Sequence, residues 1–231
     1  MTTTPFTHAI YHGRSPVEVP AYTIPEAAQW LAVAPSTVRA WLLGQGGFRA
    51  VVEIADRDSK TLSFRNLVEL HVLAAIRRKH KVSLQRVRKA VDFMERGLAV
   101  PHPLSSARML TDGRDLLVEA CGNYLNVTRK GQGEMRELLQ AYLERIEHSP
   151  DGTPARLYPF TRKDVMHDPR SVVIDPLVEF GRPCLATTGI PTVEVADRYK
   201  AGESIDSIAE DYGRQREQIE EAIRYELPAA A

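Results

Sequence analysis

The sequence predicts a mainly α-helical protein with small β-hairpins, and three observations carry that expectation. Residues 23–43 contain two capped helical stretches separated by a tight break. Apolar residues recur at helical spacing through 63–98 and again through 135–146, as in helices that bury one stripe. Residues 192–225 then hold three short helix signals whose apolar positions share one side.

Length and charge set the frame. A chain of 231 residues holds one or two domains, each able to bury a core. Cys121 and Cys184 stand alone, without a Cys-x-x-Cys or Cys/His cluster, so neither a zinc site nor a disulfide framework is expected. The N-terminus lacks a basic start followed by an apolar run, and no stretch approaches the roughly 18 apolar residues of a membrane span. These features imply a cytoplasmic protein with no membrane partner and no cofactor. Net charge is zero overall, but residues 1–100 hold 14 Lys+Arg against 8 Asp+Glu, a net of +6. Residues 171–226 hold 6 against 12, a net of −6. Such asymmetry suggests a nucleic-acid face in front and a protein-contacting or solvated face behind.

Residues 1–20, with Pro5, Pro16 and Pro20, read as an N-terminal arm. His8 and His12 are four apart but have no third ligand, so no metal site is assigned. Thr23 and Glu26 have the spacing of a capping box, in which each side chain satisfies a backbone N–H of the other, so a helix should begin at Ile24. It carries Ala27, Ala28 and Leu31 at helical spacing and breaks near Val33. Pro35 suits the first turn of a second helix, where its missing N–H has no partner to lose. Ala34 stands where Ser or Thr is usual, at a cost of roughly 0.5–2 kcal/mol. Val38, Trp41 and Leu42 form the inward stripe, leaving Ser36, Thr37 and Arg39 outward. Two short helices, the second presenting hydroxyls and an arginine, suit insertion into a DNA major groove.

After a glycine-rich turn at 44–47, residues 48–54 read as a strand, 56–59 as a turn and 60–62 as a return strand. Such a hairpin is a wing, with Arg49, Arg57 and Lys60 placed to touch phosphates. Ser63 next caps a long helix with Leu67, Leu70 and Ala74 inside. It closes on Arg77, Arg78, Lys79, His80 and Lys81, cations at the negative end of the helix dipole. Arg77 and Arg78 serve there as phosphate contacts or as a solvated last turn. Ser83 opens another helix with Val87, Val91 and Met94 inside and Arg86, Arg88 and Lys89 outside. The order of Pro-Ser-Thr-Val-Arg-Ala-Trp (35–41), the hairpin, Leu-Ser-Phe-Arg-Asn-Leu-Val-Glu-Leu (62–70) and Val-Ser-Leu-Gln-Arg-Val-Arg (82–88) resembles the MerR-like winged helix-turn-helix domain. The resemblance covers 21–100. It implies that the helix holding Ser36, Thr37 and Arg39 is the recognition helix and that Arg49, Arg57 and Lys60 belong to the wing. The long C-terminal coiled-coil helix and effector pocket of the sensing members are missing.

Pro101-His-Pro103 reads as a boundary, and 101–148 as a hairpin plus an amphipathic helix. Asp112-Gly113 gives the hairpin signal between 109–110 and 116–118, and 124–127 adds a strand. Met135, Leu138, Leu139, Tyr142, Leu143 and Ile146 mark the helix. Residues 149–170 read as a linker. In 171–226, Thr192, Ser204 and Gly213 mark three helix starts, with Ile205, Ile208, Ala209, Ile219, Ala222 and Ile223 facing one another. The outline is a second helix-turn-helix module, in which Arg214 and Arg216 open the last helix.

These motifs resemble the small domain of VapB-type antitoxins of prokaryotic toxin–antitoxin pairs. Joined to a MerR-like domain, it resembles the longer antitoxins, whose partner is typically a PIN-like ribonuclease. The resemblance implies two roles, neutralising the toxin and binding promoter DNA of the operon as a repressor. A PIN-like nuclease would present an acidic metal site into which an arginine could insert; Arg182 and Arg198 are the candidates, unless each holds a turn or pairs with a nearby acid. Two-fold operators favour a homodimer. One alternative is a MerR-like transcriptional regulator without a toxin. An enzyme is the other, resting on Asp112, Asp115 and Glu119 or on Asp206, Glu210 and Asp211. No nucleophile with a positioned base accompanies either set, so no catalytic residue is assigned.

Overall fold

A computed structural model describes residues 11, 13–79, 84–125 and 128–227. The chain divides into two compact units, 1–144 with 148–155 and 145–147 with 156–231.

The first unit is helical. A two-residue strand β1 (Tyr22–Thr23) leads into α1 (Ile24–Trp30), and the capping box forms as expected. The Thr23 hydroxyl accepts from the Glu26 N–H at 3.3 Å, and the Glu26 carboxylate accepts from the Thr23 N–H at 2.7 Å. The chain turns at Leu31 and Ala32, the latter with φ of +51°, and α2 (Pro35–Leu43) begins at the proline without a side-chain cap on Ala34. Val38, Trp41 and Leu42 are buried. Gly44 ends α2 at φ +80°, and a Cβ there would lie 2.2 Å from the Phe48 carbonyl oxygen. Only glycine fits a turn folded back this closely.

The wing expected over 48–62 does not form as a hairpin of two strands. The N–H groups of Val51 and Val52 both donate to the Trp41 carbonyl, at 2.7 and 3.1 Å, and so dock the segment on the end of α2. Asn66 takes the next part: its Oδ1 accepts from the Ala55 N–H, and its Nδ2 donates to the Glu53 carbonyl. With these groups satisfied by a helix end and an amide, no partner strand is needed. A bridge between Asp56 and Thr61 remains, closing a short turn. The return strand β2 (Thr61–Leu62) exists, but its antiparallel partner is β1.

Ser63 caps α3 (Phe64–Lys79), its hydroxyl accepting from the Asn66 N–H at 3.3 Å. Leu67, Leu70, Leu73, Ala74 and Ile76 are buried, and so are Val68, His71 and Val72, so α3 is enclosed on nearly all sides. The α4 helix (Leu84–Leu98) buries Val87, Val91 and Met94; the cap expected at Ser83 lies outside the described residues.

Pro101-His-Pro103 is not a boundary. Pro103–Ser105 forms a short 3-10 turn whose three residues are buried, and it packs on α3. The hairpin expected over 109–118 is likewise replaced by helix: α5 (Asp112–Leu125) runs through it and through residues 124 and 125 of the expected extra strand, whose residues 126 and 127 lie outside the described residues. Asp112 and Asp115 favour a helix N-terminus. Gly113 allows the preceding 3-10 turn (Ala107–Leu110) to approach, since a Cβ would meet the Arg108 carbonyl oxygen at 2.8 Å. The aspartate and glycine thus serve a helix start and a close contact. The expected amphipathic helix is α6 (Arg129–Leu143), with Met135, Leu138, Leu139, Tyr142 and Leu143 buried. It packs against α3 and α5, and the His71 ring nitrogen meets the Tyr142 carbonyl at 3.0 Å. Ile146 belongs to a strand instead.

The second unit places three helices beside a sheet of strand order β3 (Ile146–His148), β4 (Pro154–Leu157), β5 (Val172–Ile174) and β6 (Pro183–Leu185). The region 149–170 is therefore no simple linker: it supplies β4 and a buried ion pair, Asp168 with Arg145 at 3.2 Å. Asp168 also accepts from the Thr161 N–H, the Thr161 hydroxyl and the Arg162 N–H. Helices α7 (Thr192–Lys200), α8 (Ile205–Tyr212) and α9 (Arg216–Glu226) follow. Ser204 caps α8, accepting from the Ser207 N–H, whereas Gly213 closes α8 at φ +61° rather than opening α9. Ile208, Ala209, Ile219 and Ala222 join Leu185 and Val195 in one core, with Ile205 and Ile223 packed against it. Glu221, buried on α9, accepts from Arg162, Arg224 and the Thr161 hydroxyl. Among the described residues no helix is long and apolar enough to cross a membrane.

Candidate nucleic-acid interface

In the first unit, α2 presents Ser36 and Arg39 to solvent, and Arg39 has no ion-pair partner among the described residues. Thr37 departs from expectation. It is only 5% exposed, because the buried stripe of α2 is wider than Val38, Trp41 and Leu42 and takes in the position one turn before Trp41. Its hydroxyl is therefore not on the outer face with Ser36.

Beyond the end of α2, Arg49 and Arg57 converge with Arg88 on a cleft of about 340 Å³, completed by Leu43, Ala50 and Glu53. Arg49, Arg57 and Lys60 are exposed. The turn that carries Arg57 is stiffened by Asp56, whose carboxylate accepts from the N–H groups of Asp58 and Ser59 at 2.9 and 3.2 Å. Ser59, through its hydroxyl and its N–H, holds that carboxyl below the ordinary aspartate range. Three guanidinium groups against one carboxylate make the cleft cationic, and two of the three have no ion-pair partner among the described residues. Such a surface attracts phosphate oxygens. Arg77 and Arg78 lie in the last turn of α3, but their side chains fall outside the described residues.

Arg88 is not the outward side chain that the helical pattern suggests. It is half-buried and works as a clasp, donating to the carbonyls of Ala50 and Val51 at 3.1 and 2.7 Å while pairing with Asp92 and Glu95. Its Nε is enclosed without a partner among the described residues. The Asp92 and Glu95 spacing, four and seven residues on, was the sequence signal for this clasp.

In the second unit the cations are mostly committed. Arg198 donates to Glu203 and Asp211 and lies 4.8 Å above the Tyr212 ring. Glu203, with Tyr212 and Asp211, holds its pKa above the ordinary arginine value. It is thus a brace between α7, α8 and the loop joining them rather than a free contact residue. Arg216 pairs with Asp206 and Glu220, and Arg214 is half-buried with its Nε enclosed and without a partner among the described residues. Arg216 is therefore not offered to solvent as an unpaired cation at the start of α9, and Arg214 is offered only in part. Four of the six carboxylates considered for an enzyme are also engaged: Asp206 and Asp211 as above, Asp112 with Arg108 and Asp115 with Arg136.

Arg182 differs. It is exposed, it has no ion-pair partner among the described residues, and it follows a loop in which Leu177 and Phe180 are 63% and 64% exposed. Glu179 and Phe180 both have positive φ, +47° and +55°, a conformation that side-chain-bearing residues hold at a cost. The Thr192 hydroxyl donates to the Pro183 carbonyl, which brings the start of α7 and the exposed Val193 close to Arg182. Arg182 is legible in the sequence but its apolar neighbours are not, since exposed leucine and phenylalanine cannot be told from core residues without a structure.

Residues 172–225 match a family described as a protein of unknown function (DUF433). The chain is 27% identical to "Putative antitoxin VapB45" of Mycobacterium tuberculosis (strain ATCC 25618 / H37Rv), over 89% of this chain and 93% of that protein. The crystal structure of Rv2018 from Mycobacterium tuberculosis matches with a TM-score of 0.68 at 25% identity, covering 89% of this chain and 98% of that one. The resemblance to VapB-type antitoxins therefore extends across both units.

Proposed function

We propose that this chain is an antitoxin that neutralises a PIN-like ribonuclease toxin by direct binding and represses its own operon by binding promoter DNA. The observation that carries the division of labour is where unpaired cations lie. Arg39, Arg49 and Arg57 are exposed and without ion pairs among the described residues in the first unit, whereas Arg198 and Arg216 in the second are held by acids. Phosphate neutralisation supplies most of the affinity for DNA, and it needs cations that are not already neutralised. The first unit is accordingly the DNA-binding part, a MerR-like helix-turn-helix in which α2 reads the groove and the turn at 56–61 stands in for a longer wing. Ser36 and Arg39 act on base edges or phosphates, and Arg49, Arg57, Lys60, Arg77 and Arg78 act on phosphates.

The second unit contacts the toxin. Arg182, flanked by exposed apolar residues, is the side chain suited to a carboxylate-lined metal site, because a guanidinium pairs two carboxylate oxygens and competes with the cation. Arg198 serves from behind as a brace. The protein is a homodimer and a regulator rather than an enzyme, acting in the cytoplasm. A MerR-like regulator without a toxin partner is the competing reading.

The test is co-expression with the reading frame adjacent to its gene, followed by size-exclusion chromatography with mass detection. A stable hetero-complex lacking ribonuclease activity, whose free partner cleaves RNA, is the expected result. A lone homodimer that still binds the upstream DNA would refute the toxin half and leave the regulator.

A further inference from the structure

A second cavity of the first unit, of about 430 Å³, lies between α3, α4 and the segments 51–53 and 100–104. That volume is in the range of sites that enclose small molecules. One part of its lining is apolar, from Val51, Val91 and Leu104, all largely buried in the unit. The other part is charged: Glu53, Glu69 and Glu95 face Arg88 and His102.

The charges do not balance. Arg88 is already spent on two backbone carbonyls, Asp92 and Glu95. His102 donates from Nδ1 to Glu69 at 3.1 Å, and the Glu69 side chain is only 5% exposed. Glu53 has no side-chain hydrogen bond or ion pair among the described residues. Even with His102 protonated the lining carries three negative charges against two positive, and one more negative charge prevails when the imidazole is neutral. Glu69 is satisfied by His102 and by the Asn66 amide, whose Nδ2 donates to it at 3.2 Å, so the charge open to a ligand is that of Glu53, exposed and unpaired among the described residues beside an apolar wall, and a ligand that brings its own positive charge complements it. The wall segment itself is held in a costly shape, since Ala99 and His102 have φ of +52° and +51° without being glycine.

We propose that this cavity binds a small organic cation, an ammonium or amidinium group on an apolar body. The cationic group lies toward Glu53 and Glu95, with Glu69 behind, and the apolar body rests on Val51, Val91 and Leu104. The proposal stands on the cavity alone and is independent of the DNA and toxin roles.

Three probes of one shape and different charge test it: benzylammonium, benzyl alcohol and benzoate, titrated into the full-length protein by calorimetry and by amide NMR. Benzylammonium is expected to bind and to shift the amides of Val52, Glu69 and His102, with benzyl alcohol weaker and benzoate without effect. Glu53→Gln, at an exposed position that leaves the core intact, is expected to weaken benzylammonium roughly fivefold, the scale of one solvent-screened charge pair. Val91→Phe, which fills the cavity, is expected to abolish the response to every probe. Benzoate binding as well as benzylammonium, no binding of any probe, or binding that survives both variants unchanged would each overturn the assignment.

Discussion

Replacing Arg39 with alanine separates the two helical modules by their chemistry. Arg39 is exposed on α2 and has no ion pair among the described residues that it would have to give up on binding DNA as proposed. Its whole contact energy is therefore lost in the variant, about 1–3 kcal/mol for a base-edge or phosphate contact, or roughly 5- to 150-fold in affinity. Arg216 must first leave Asp206 and Glu220, surface pairs worth about 0–1 kcal/mol each, and then approach DNA from a region of net −6. The combined Arg214→Ala and Arg216→Ala variant should accordingly change affinity by less than about threefold. Fluorescence anisotropy with a labelled duplex from upstream of the gene, repeated across a salt series, reads both quantities. If Arg39 touches a phosphate, the slope of log K against log salt falls by about one; a base contact leaves the slope and relaxes sequence preference. Loss of binding in the double variant with retention in Arg39→Ala would refute the assignment of DNA binding to the first unit.

Three further outcomes are expected. Thr37→Val should leave DNA affinity unchanged while Ser36→Ala weakens it, because Thr37 is buried and Ser36 exposed; equal losses in the same anisotropy assay would contradict the burial. Arg145→Met should cost about 3–5 kcal/mol in urea unfolding followed by far-ultraviolet dichroism, since it strands Asp168, whose side chain is fully enclosed, without its cation. A loss under about 1 kcal/mol would show that the Thr161 and Arg162 donors suffice. Two imidazoles of the first unit, those of His102 and His148, should titrate in opposite directions by NMR: the hydrogen bond that His102 donates to Glu69 raises it above 6.5, and burial lowers His148 below it. The signs follow by linkage. Stability from His102 is complete below the unfolded pKa and is lost as pH rises through the folded one, whereas that from His148 is complete above pH 6.5 and is lost as pH falls. Both midpoints on the same side of 6.5 would be inconsistent with the pairing.

Much of the local structure was written in short-range chemistry. The Thr23 and Glu26 capping box, Pro35 at the head of α2, Ser63 and Ser204 as caps, and the stripes of α3, α4, α6, α8 and α9 all depend on neighbours within one helical turn. Such signals are legible because partner and position are both set by sequence spacing. Where the reading failed, a distant group had taken the place of a near one. Asp112-Gly113 has the spacing of a hairpin turn, but it opens α5, with Gly113 leaving room for the Arg108 carbonyl. Residues 48–54 looked like a strand, but Trp41 and Asn66 satisfied their backbone groups.

The candidate site shows the same division. Sequence alone determined which residues carry charge, that the first hundred are basic and the C-terminal region acidic, and that Ser36 and Arg39 share a short second helix. Tertiary structure decided which of those charges are free. It turned Thr37 inward, made Arg88 a clasp, tied Arg198 and Arg216 to acids four to thirteen residues away, and left Arg39, Arg49, Arg57 and Arg182 unpaired among the described residues. The reason is physical: a charge is a property of one residue, but its availability depends on whatever the folded chain brings within about 4 Å of it.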